Sequence, residues 1–231
     1  MSSLCIITAR GGSKRIPRKN IKLFCDKPII AYSIEAALES GIFDEVMVST
    51  EDEEIAAIAC EYGASVPFFR SQDTSGDHAD TEDVLIEVLK EFGARGRRFD
   101  TACCIYPTAP FITAQKLRSM RDLLIADDSC ESVMTATSFS FPPQRGLVLN
   151  EGFGSWWQPE HSDARSQDLP KIYHDAGQAY FFEVAAFLDS RALMSARTRL
   201  FIVPETEVQD IDNEEDWILA EIKYRYLHAC S

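Results

Sequence analysis

An apolar run, Leu4–Thr8, opens directly onto the string ARGGSKRIPRKN at residues 9–20. A run this short and this continuously apolar reads as a strand covered on both faces. The segment after it is of the opposite character. Arg10, Lys14, Arg15, Arg18, Lys19 and Lys22 place six cations between Arg10 and Cys25, with no acid among them. The whole chain carries a formal charge of −14, so this local excess runs against its background. Gly11 and Gly12 lack a Cβ, which lets backbone N–H groups turn toward a ligand. Pro17 stiffens the loop. A buried strand ending in glycines and cations suits a sheet edge that meets a polyphosphate. The Walker spacing GxxxxGK[ST] and the GxGxxG string are both absent, so neither a P-loop ATPase nor a dinucleotide fingerprint is supported.

The pattern downstream extends the same edge. Pro28 takes a favoured first helical position, and Ile29, Ile30, Ile34, Ala37 and Leu38 form an apolar stripe that stops before Gly41. Glu45–Thr50 reads as a second strand. Thr50 or Glu51 opens a helix whose first turn is acidic, as the helix dipole favours, and Gly63 ends it. Ser65–Phe69 reads as a third strand. This βαβαβ alternation with short connections predicts an α/β, Rossmann-like, mainly parallel sheet with helices on both faces and right-handed crossovers. Arg70–Asp80 is a polar loop, and Thr81 with Asp83 starts a helix. Thr101–Tyr106 is a strand ended by Pro107 and Pro110, Thr113–Ala126 a helix, and Ser132–Thr137 a strand.

Residues 138–175 break the alternation. They hold Pro142, Pro143, Pro159, Pro170 and the pair Trp156–Trp157, with little periodicity. We read them as an excursion from a single domain spanning 1–231; exposed aromatics of this kind mark a subunit interface. Gln178–Glu183 returns as a strand, followed by a short helix and a strand at Leu200–Val203. Asp212 or Asn213 caps a last helix with Trp217, Ile218, Ala220, Ile222, Tyr224 and Leu227 as its apolar face.

Composition narrows the partners. A sequence pI near 4.7 argues against bulk binding to nucleic acid. No apolar stretch approaches the ~18–20 residues that cross a membrane, and the start MSSLCIITARGG lacks the layout of a secretory leader. The seven cysteines are odd in number and contain no CxxC, which reads as reduced thiols in a cytoplasmic protein.

The string ARGGSKRIPRKN resembles the N-terminal signature of the sugar-acid cytidylyltransferases, the CMP-sialic acid synthetase (acylneuraminate cytidylyltransferase) family. Pro28–Ser40, Val48–Ile55 and Asp210–Trp217 are similar to the same family. RIPRKN, KPIIAYSIEAAL, CCIYPTAPF, YHDAGQAY and DIDNEEDW are most similar to its pseudaminic acid branch, and the resemblance covers nearly the whole chain. It implies a nucleotide-diphospho-sugar transferase type of fold, a homodimer built with the excursion, and transfer of CMP from CTP to the anomeric hydroxyl of a nine-carbon keto sugar acid, with pyrophosphate released. N-acetylneuraminic, legionaminic and keto-deoxyoctulosonic acids stand as alternative acceptors. A non-catalytic nucleotide-binding protein on the same fold is the alternative of another class.

The resemblance also assigns residues. Arg10, Lys14 and Lys19 are implied at the triphosphate and in catalysis. Gly11, Ser13 and Asn20 join them around the nucleotide, as do Arg70, Thr81 and Tyr106. Arg15 and Arg18 are either further contacts or solvated charges. Tyr106 stands where relatives often have the glutamine of QPTSP; a phenol reads a base edge less completely than an amide. Asp210 and Asp212 form a D-x-D whose carboxylates project to one side of an extended chain. Hard oxygen ligands facing a triphosphate favour Mg²⁺, while Asp212 with Glu215 three residues on also matches a capping box. Arg165, Lys171, Asp175 and Gln178 are assigned to the sugar acid, and His174 reads as a surface or core histidine rather than a base.

Overall fold

The computed structural model describes residues 1–76 and 79–229. Asp77 and His78 of the polar loop, and Cys230 of the cysteine set, lie outside the described residues. In chain order the strands are β1 (Ser3–Thr8), β2 (Leu23–Phe24), β3 (Lys27–Pro28), β4 (Glu45–Ser49), β5 (Thr101–Ile105), β6 (Ser132–Ser138), β7 (Leu147–Asn150), β8 (Phe153–Trp156), β9 (Tyr173–Glu183) and β10 (Thr198–Ile202). The helices are α1 (Ile29–Ser40), α2 (Glu53–Glu61), α3 (Gln72–Ser75), α4 (Thr81–Ala94), α5 (Ala114–Ile125), α6 (Val184–Ser190) and α7 (Glu214–His228). The main sheet has the order β10-β6-β9-β5-β1-β4. Neighbours are parallel except at β9, which runs antiparallel to both β5 and β6.

Alternate side chains of the buried strands feed two cores. Cys5, Ile7, Val48, Cys103 and Ile105 pack with Ile30 and Ile34 of α1, Ile55 of α2 and Leu117 of α5. Leu4, Ile6, Ala102 and Cys104 pack with Leu85, Val88 and Phe92 of α4 and Phe187 of α6. The helices on both faces follow from this period of two. A third cluster joins Ile16 of the basic loop to Phe24, Ile29, Phe111, Ile211, Trp217 and Ala220. Hence α7 packs not on the sheet but on the loop after β1.

Local differences from the expected elements have physical reasons. Ser65–Phe69 is no strand. It makes one isolated bridge, Met47 with Ser65, because Pro67 has no N–H to donate, and Phe69 is exposed. Pro28 is the N-cap of α1 rather than its first residue, and Gly41 ends the helix at φ 64°, a conformation that suits glycine. Asp52, not Thr50 or Glu51, caps α2, accepting from the amides of Glu54 and Ile55. Asp80 caps α4, so Thr81 is left free of that role. Asn213 and Asp216 form the capping box of α7, not Asp212 and Glu215. On α7, Trp217 and Ala220 are buried but Ile218 and Ile222 are exposed.

β9 begins at Tyr173, earlier than the expected Gln178. Its register against β6 shifts between Met134 and Ala136: Met134 faces Tyr180, yet Ala136 faces Asp175. The extra residues of β9 form a bulge at Ala176–Gln178, with Gly177 at φ 61°. Because β9 is antiparallel, its first residues lie at the carboxyl edge of the parallel strands, where ligands bind in open α/β sheets.

Candidate active site

The basic loop leaves β1 and is pinned from both sides. Ile16 is fully buried beneath α7. Arg18, in the left-handed region at φ 56°, forks onto Asp52 and also reaches Glu54. The Arg18 hydrogen bond holds the Asp52 carboxyl at about 2, against a smaller opposing push from burial. The Gly11 amide donates to Glu51 Oε1 at 2.7 Å, and a Cβ on Gly11 would come 2.5 Å from Asp52 Oδ2. Gly11 is therefore needed for close approach to the start of α2; its amide is turned to Glu51, a correction to its expected place on the nucleotide. Asn20 is buried and donates from Nδ2 to the Arg10 carbonyl at 2.8 Å, which fixes the first cation of the loop.

Lys19 crosses to the other end of the chain. Its Nζ donates to the Ile211 carbonyl at 2.6 Å and stands 3.9 Å from Asp212 Oδ1. Burial pulls the Lys19 ammonium below its ordinary value, against the pull of Asp212 and Asp210. Arg15 donates to the same Asp212 oxygen at 2.7 Å. Arg15 and Arg18 are thus both paired rather than merely solvated. Lys14 is exposed on the same loop. The Asp210 carboxyl is raised by desolvation first and by Asp212 second. Among the described residues no group of three or more His, Cys, Asp and Glu side chains gathers into a metal cluster. Asp210 and Asp212, two carboxylates that flank Ile211, still fit a hard dication that takes its other ligands from water and phosphate.

Arg10, Ser13, Lys19, Asn20, Arg70, Thr81 and Tyr106 line one cavity of about 260 Å³. Seven positions spread over nearly a hundred residues of sequence therefore converge. Arg70 is buried and held by Ser49, whose Oγ accepts from Nε at 3.1 Å and whose carbonyl accepts from the guanidinium at 2.7 Å. Thr8, Thr74 and Asp80 also line it and were not marked by the sequence, while Thr108 belongs to the Tyr106–Pro110 segment already placed at this edge. Thr8 ends β1, Thr74 lies in α3 and Asp80 caps α4, with no spacing in the sequence to distinguish them.

A second cavity of about 350 Å³ adjoins the first and shares Thr81 and Tyr106 with it. Thr81 Oγ1 and the Tyr106 hydroxyl are 3.1 Å apart, so the pair forms a common wall. The Tyr106 ring lies against that of Tyr180, with centroids 5.4 Å apart. The Tyr180 hydroxyl donates to Asp175 Oδ2 at 2.5 Å, and the Gly177 amide to Asp175 Oδ1 at 2.8 Å. Burial raises the phenols of both Tyr106 and Tyr180, keeping them protonated. Ser33 Oγ fixes the Tyr106 backbone by donating to its carbonyl at 2.8 Å.

Of the residues expected at the sugar acid, only Asp175 lines this cavity; His174 lines it too. Gln178 is buried with Nε2 donating to the Glu207 carbonyl at 2.6 Å, where it holds the bulge of β9 to the segment after β10. Arg165 and Lys171 are exposed on the excursion, outside the walls of both cavities. That excursion has no core to draw long charged side chains inward. Met134, Leu193, Met194, Leu200 and Tyr180 also line the second cavity and carried no sequence signal, since each reads as ordinary core.

A model of the cytidylyltransferase family matches residues 4–140. The chain is 42% identical over 229 residues to a pseudaminic acid cytidylyltransferase of Campylobacter jejuni, covering 99% of this chain and 98% of that one. It is 33% identical to a CMP-N,N'-diacetyllegionaminic acid synthase of Legionella pneumophila, covering 96% and 95%. A solved CMP-2-keto-3-deoxy-manno-octonic acid synthetase complexed with CTP shares the fold with a TM-score of 0.70 at 18% identity, over 99% of this chain and 100% of that one.

Proposed function

From a chain that belongs to the cytidylyltransferase family, and so is a nucleotidyltransferase, we propose the transfer of CMP from CTP to the anomeric hydroxyl of pseudaminic acid, a nine-carbon keto sugar acid, with release of pyrophosphate. The observation that carries this reading is the shared wall. Two cavities meet at Thr81 and Tyr106, one cationic and one holding Asp175. CTP occupies the first, with its triphosphate toward Arg10, Ser13, Lys14 and Lys19 and its cytidine toward Arg70. The sugar acid occupies the second. Holding both reactants across one wall turns a bimolecular encounter into an in-line approach of hydroxyl on α-phosphorus. Negative charge grows on the phosphoryl and leaving-group oxygens, and Lys19 and Arg10 stabilise it. No covalent enzyme intermediate is needed.

Asp210 and Asp212 would hold Mg²⁺, and their placement around Ile211, whose carbonyl Lys19 grips, supports this. When bound, Mg²⁺ supplies neutralisation of phosphate charge. Release of Asp212 from Arg15 would accompany loading, since both compete for the same oxygen.

The excursion supports a homodimer. β7 and β8 form a hairpin with every residue exposed, including Leu149 at 79% and Phe153 at 80%. We take residues 1–231 as one domain with 138–175 as its dimerising excursion, as the return of α7 onto the loop after β1 supports. We place the protein in the cytoplasm on the free thiols of its described cysteines; among the described residues no helix is long and apolar enough to cross a membrane.

A coupled pyrophosphate-release assay with CTP, Mg²⁺ and pseudaminic acid tests the reaction. Turnover is the expected result. No release with pseudaminic acid or any other keto sugar acid would overturn the reading. Light scattering should give twice the chain mass, reduced to one by Leu149→Asp.

A further inference from the structure

The second cavity is polar beside the shared wall and apolar away from it. Tyr106 lies just past β5, and Tyr180, Met134 and Leu200 are register partners on β9, β6 and β10. Register partners point to one face of a sheet. Tyr180, Met134 and Leu200 therefore make a row out to the edge strand, two strand spacings or roughly 10 Å long, and Tyr106, two residues past Tyr180's partner Cys104, meets its inner end with ring centroids 5.4 Å apart. Leu193 and Met194, from the connection between α6 and β10, complete the far end. Its polar lining is Thr81, Glu82, His174, Asp175 and the tyrosines Tyr106, Tyr173 and Tyr180, with no lysine or arginine among the described lining residues.

A sugar acid carries a carboxylate, and this cavity offers it no permanent cation. Arg10 and Lys19 stand on the other side of the Thr81–Tyr106 wall. We infer, on the basis of the transfer reading above, that the acid lies with its carboxylate and anomeric hydroxyl at the wall, and that Met134, Leu193, Met194 and Leu200 select an acceptor whose far end is deoxygenated and methyl-terminated. Their side chains give hydroxyls no strong hydrogen-bond partner. The methyl end of pseudaminic acid matches them. The trihydroxypropyl tail of N-acetylneuraminic acid leaves hydroxyls facing hydrocarbon, which a pocket of this kind disfavours.

The test measures kcat/KM for pseudaminic and N-acetylneuraminic acids with the wild type, Met194→Gln, Leu200→Thr and the double variant. Met194 and Leu200 are 68% and 40% exposed, so the fold should tolerate both changes, as thermal midpoints check. The wild type should prefer pseudaminic acid by about 10²-fold, the scale on which an apolar pocket rejects an added hydroxyl. The double variant should narrow that preference at least about tenfold through KM for the acid, with KM for CTP held within about twofold, because neither residue lines the first cavity. An unchanged preference in a double variant that still turns over pseudaminic acid overturns this inference alone. A wild type that uses both acids equally does the same. Absence of turnover on any sugar acid overturns the transfer reading and this inference with it.

Discussion

The two cavities lie side by side on one sheet edge and are built on opposite terms. The first is lined by Arg10, Lys19 and Arg70; neutral oxygens hold the side chains of Lys19 and Arg70, and buried Asn20 holds the Arg10 backbone. The second is walled by Met134, Leu193, Met194, Leu200 and three tyrosines. A cationic cavity binds by charge that must be held still. An apolar cavity selects by refusing groups it cannot satisfy. The difference teaches which changes should damage rate and which should damage choice.

The largest effect belongs to the cationic side. Lys19→Ala should lower kcat at least ~10²-fold, because a fixed ammonium aimed at developing phosphate charge acts in the transition state. Steady-state kinetics check it; near-wild-type turnover would reduce Lys19 to a tie between the loop and Ile211. Burial lowers the Lys19 ammonium below its ordinary value. Its charge is present at neutral pH and lost as pH rises through that lowered value, so kcat/KM for CTP should fall on the alkaline side before ordinary lysines titrate near ~10.4. Lys19→Arg should move the alkaline limb upward. A limb unmoved by that variant would assign it to another group.

Asp210→Asn comes next. Loss of an outer-shell partner alone costs metal affinity about 10–100-fold, so removing a ligand carboxylate should raise the Mg²⁺ concentration for half-maximal rate at least about tenfold. An unchanged metal titration would leave Asp210 without that role. Tyr106→Phe acts on the wall itself. Without the hydroxyl that meets Thr81, kcat/KM should drop about fivefold, the scale of one net hydrogen bond near 1 kcal/mol. KM should rise for both substrates, since both cavities use this wall; a change confined to one would show that the wall is not shared in function.

Much of the cationic cavity was legible in the sequence because its chemistry is local. Six cations without an acid, on a loop opened by Gly11–Gly12, stand out from an acidic chain. The strand-end rule then gathers Arg70 and Tyr106 to the same edge. The apolar cavity was not legible, because Tyr180, Met134 and Leu200 look like any core residue until strand order places them in a row. That order depends on β9 running backwards between β5 and β6, which the alternation of elements does not encode. The bulge that turns Asp175 toward Tyr180 is likewise a register fact. Gln178 was misassigned for a related reason: its buried amide serves the bulge. Arg165 and Lys171 were drawn to the site by charge alone, whereas solvation keeps them on the excursion. Pro67 was the readable sign that Ser65–Phe69 would not pair as a strand.

The smallest effect separates the scaffolds rather than the walls. Asp52 is held at about 2, below the ordinary carboxylate value, chiefly by the Arg18 hydrogen bond. A carboxyl depressed on folding adds stability above its unfolded value of ~3.9, and that addition is lost as pH falls toward the folded value. Arg18 is 38% exposed, so solvent screening cuts the pair to about 1 kcal/mol. Asp52→Asn should therefore lie about 1 kcal/mol below the wild type in urea unfolding above pH 5, and the gap should close between pH ~4 and 2. Over the same range Met194→Gln should keep a constant offset from the wild type, since it removes no ionisable group. If the Asp52→Asn gap stays constant down to pH 2, the Arg18–Asp52 fork contributes through shape and not charge, and the contrast between a charge-held and an apolar cavity loses its support at the level of the scaffold.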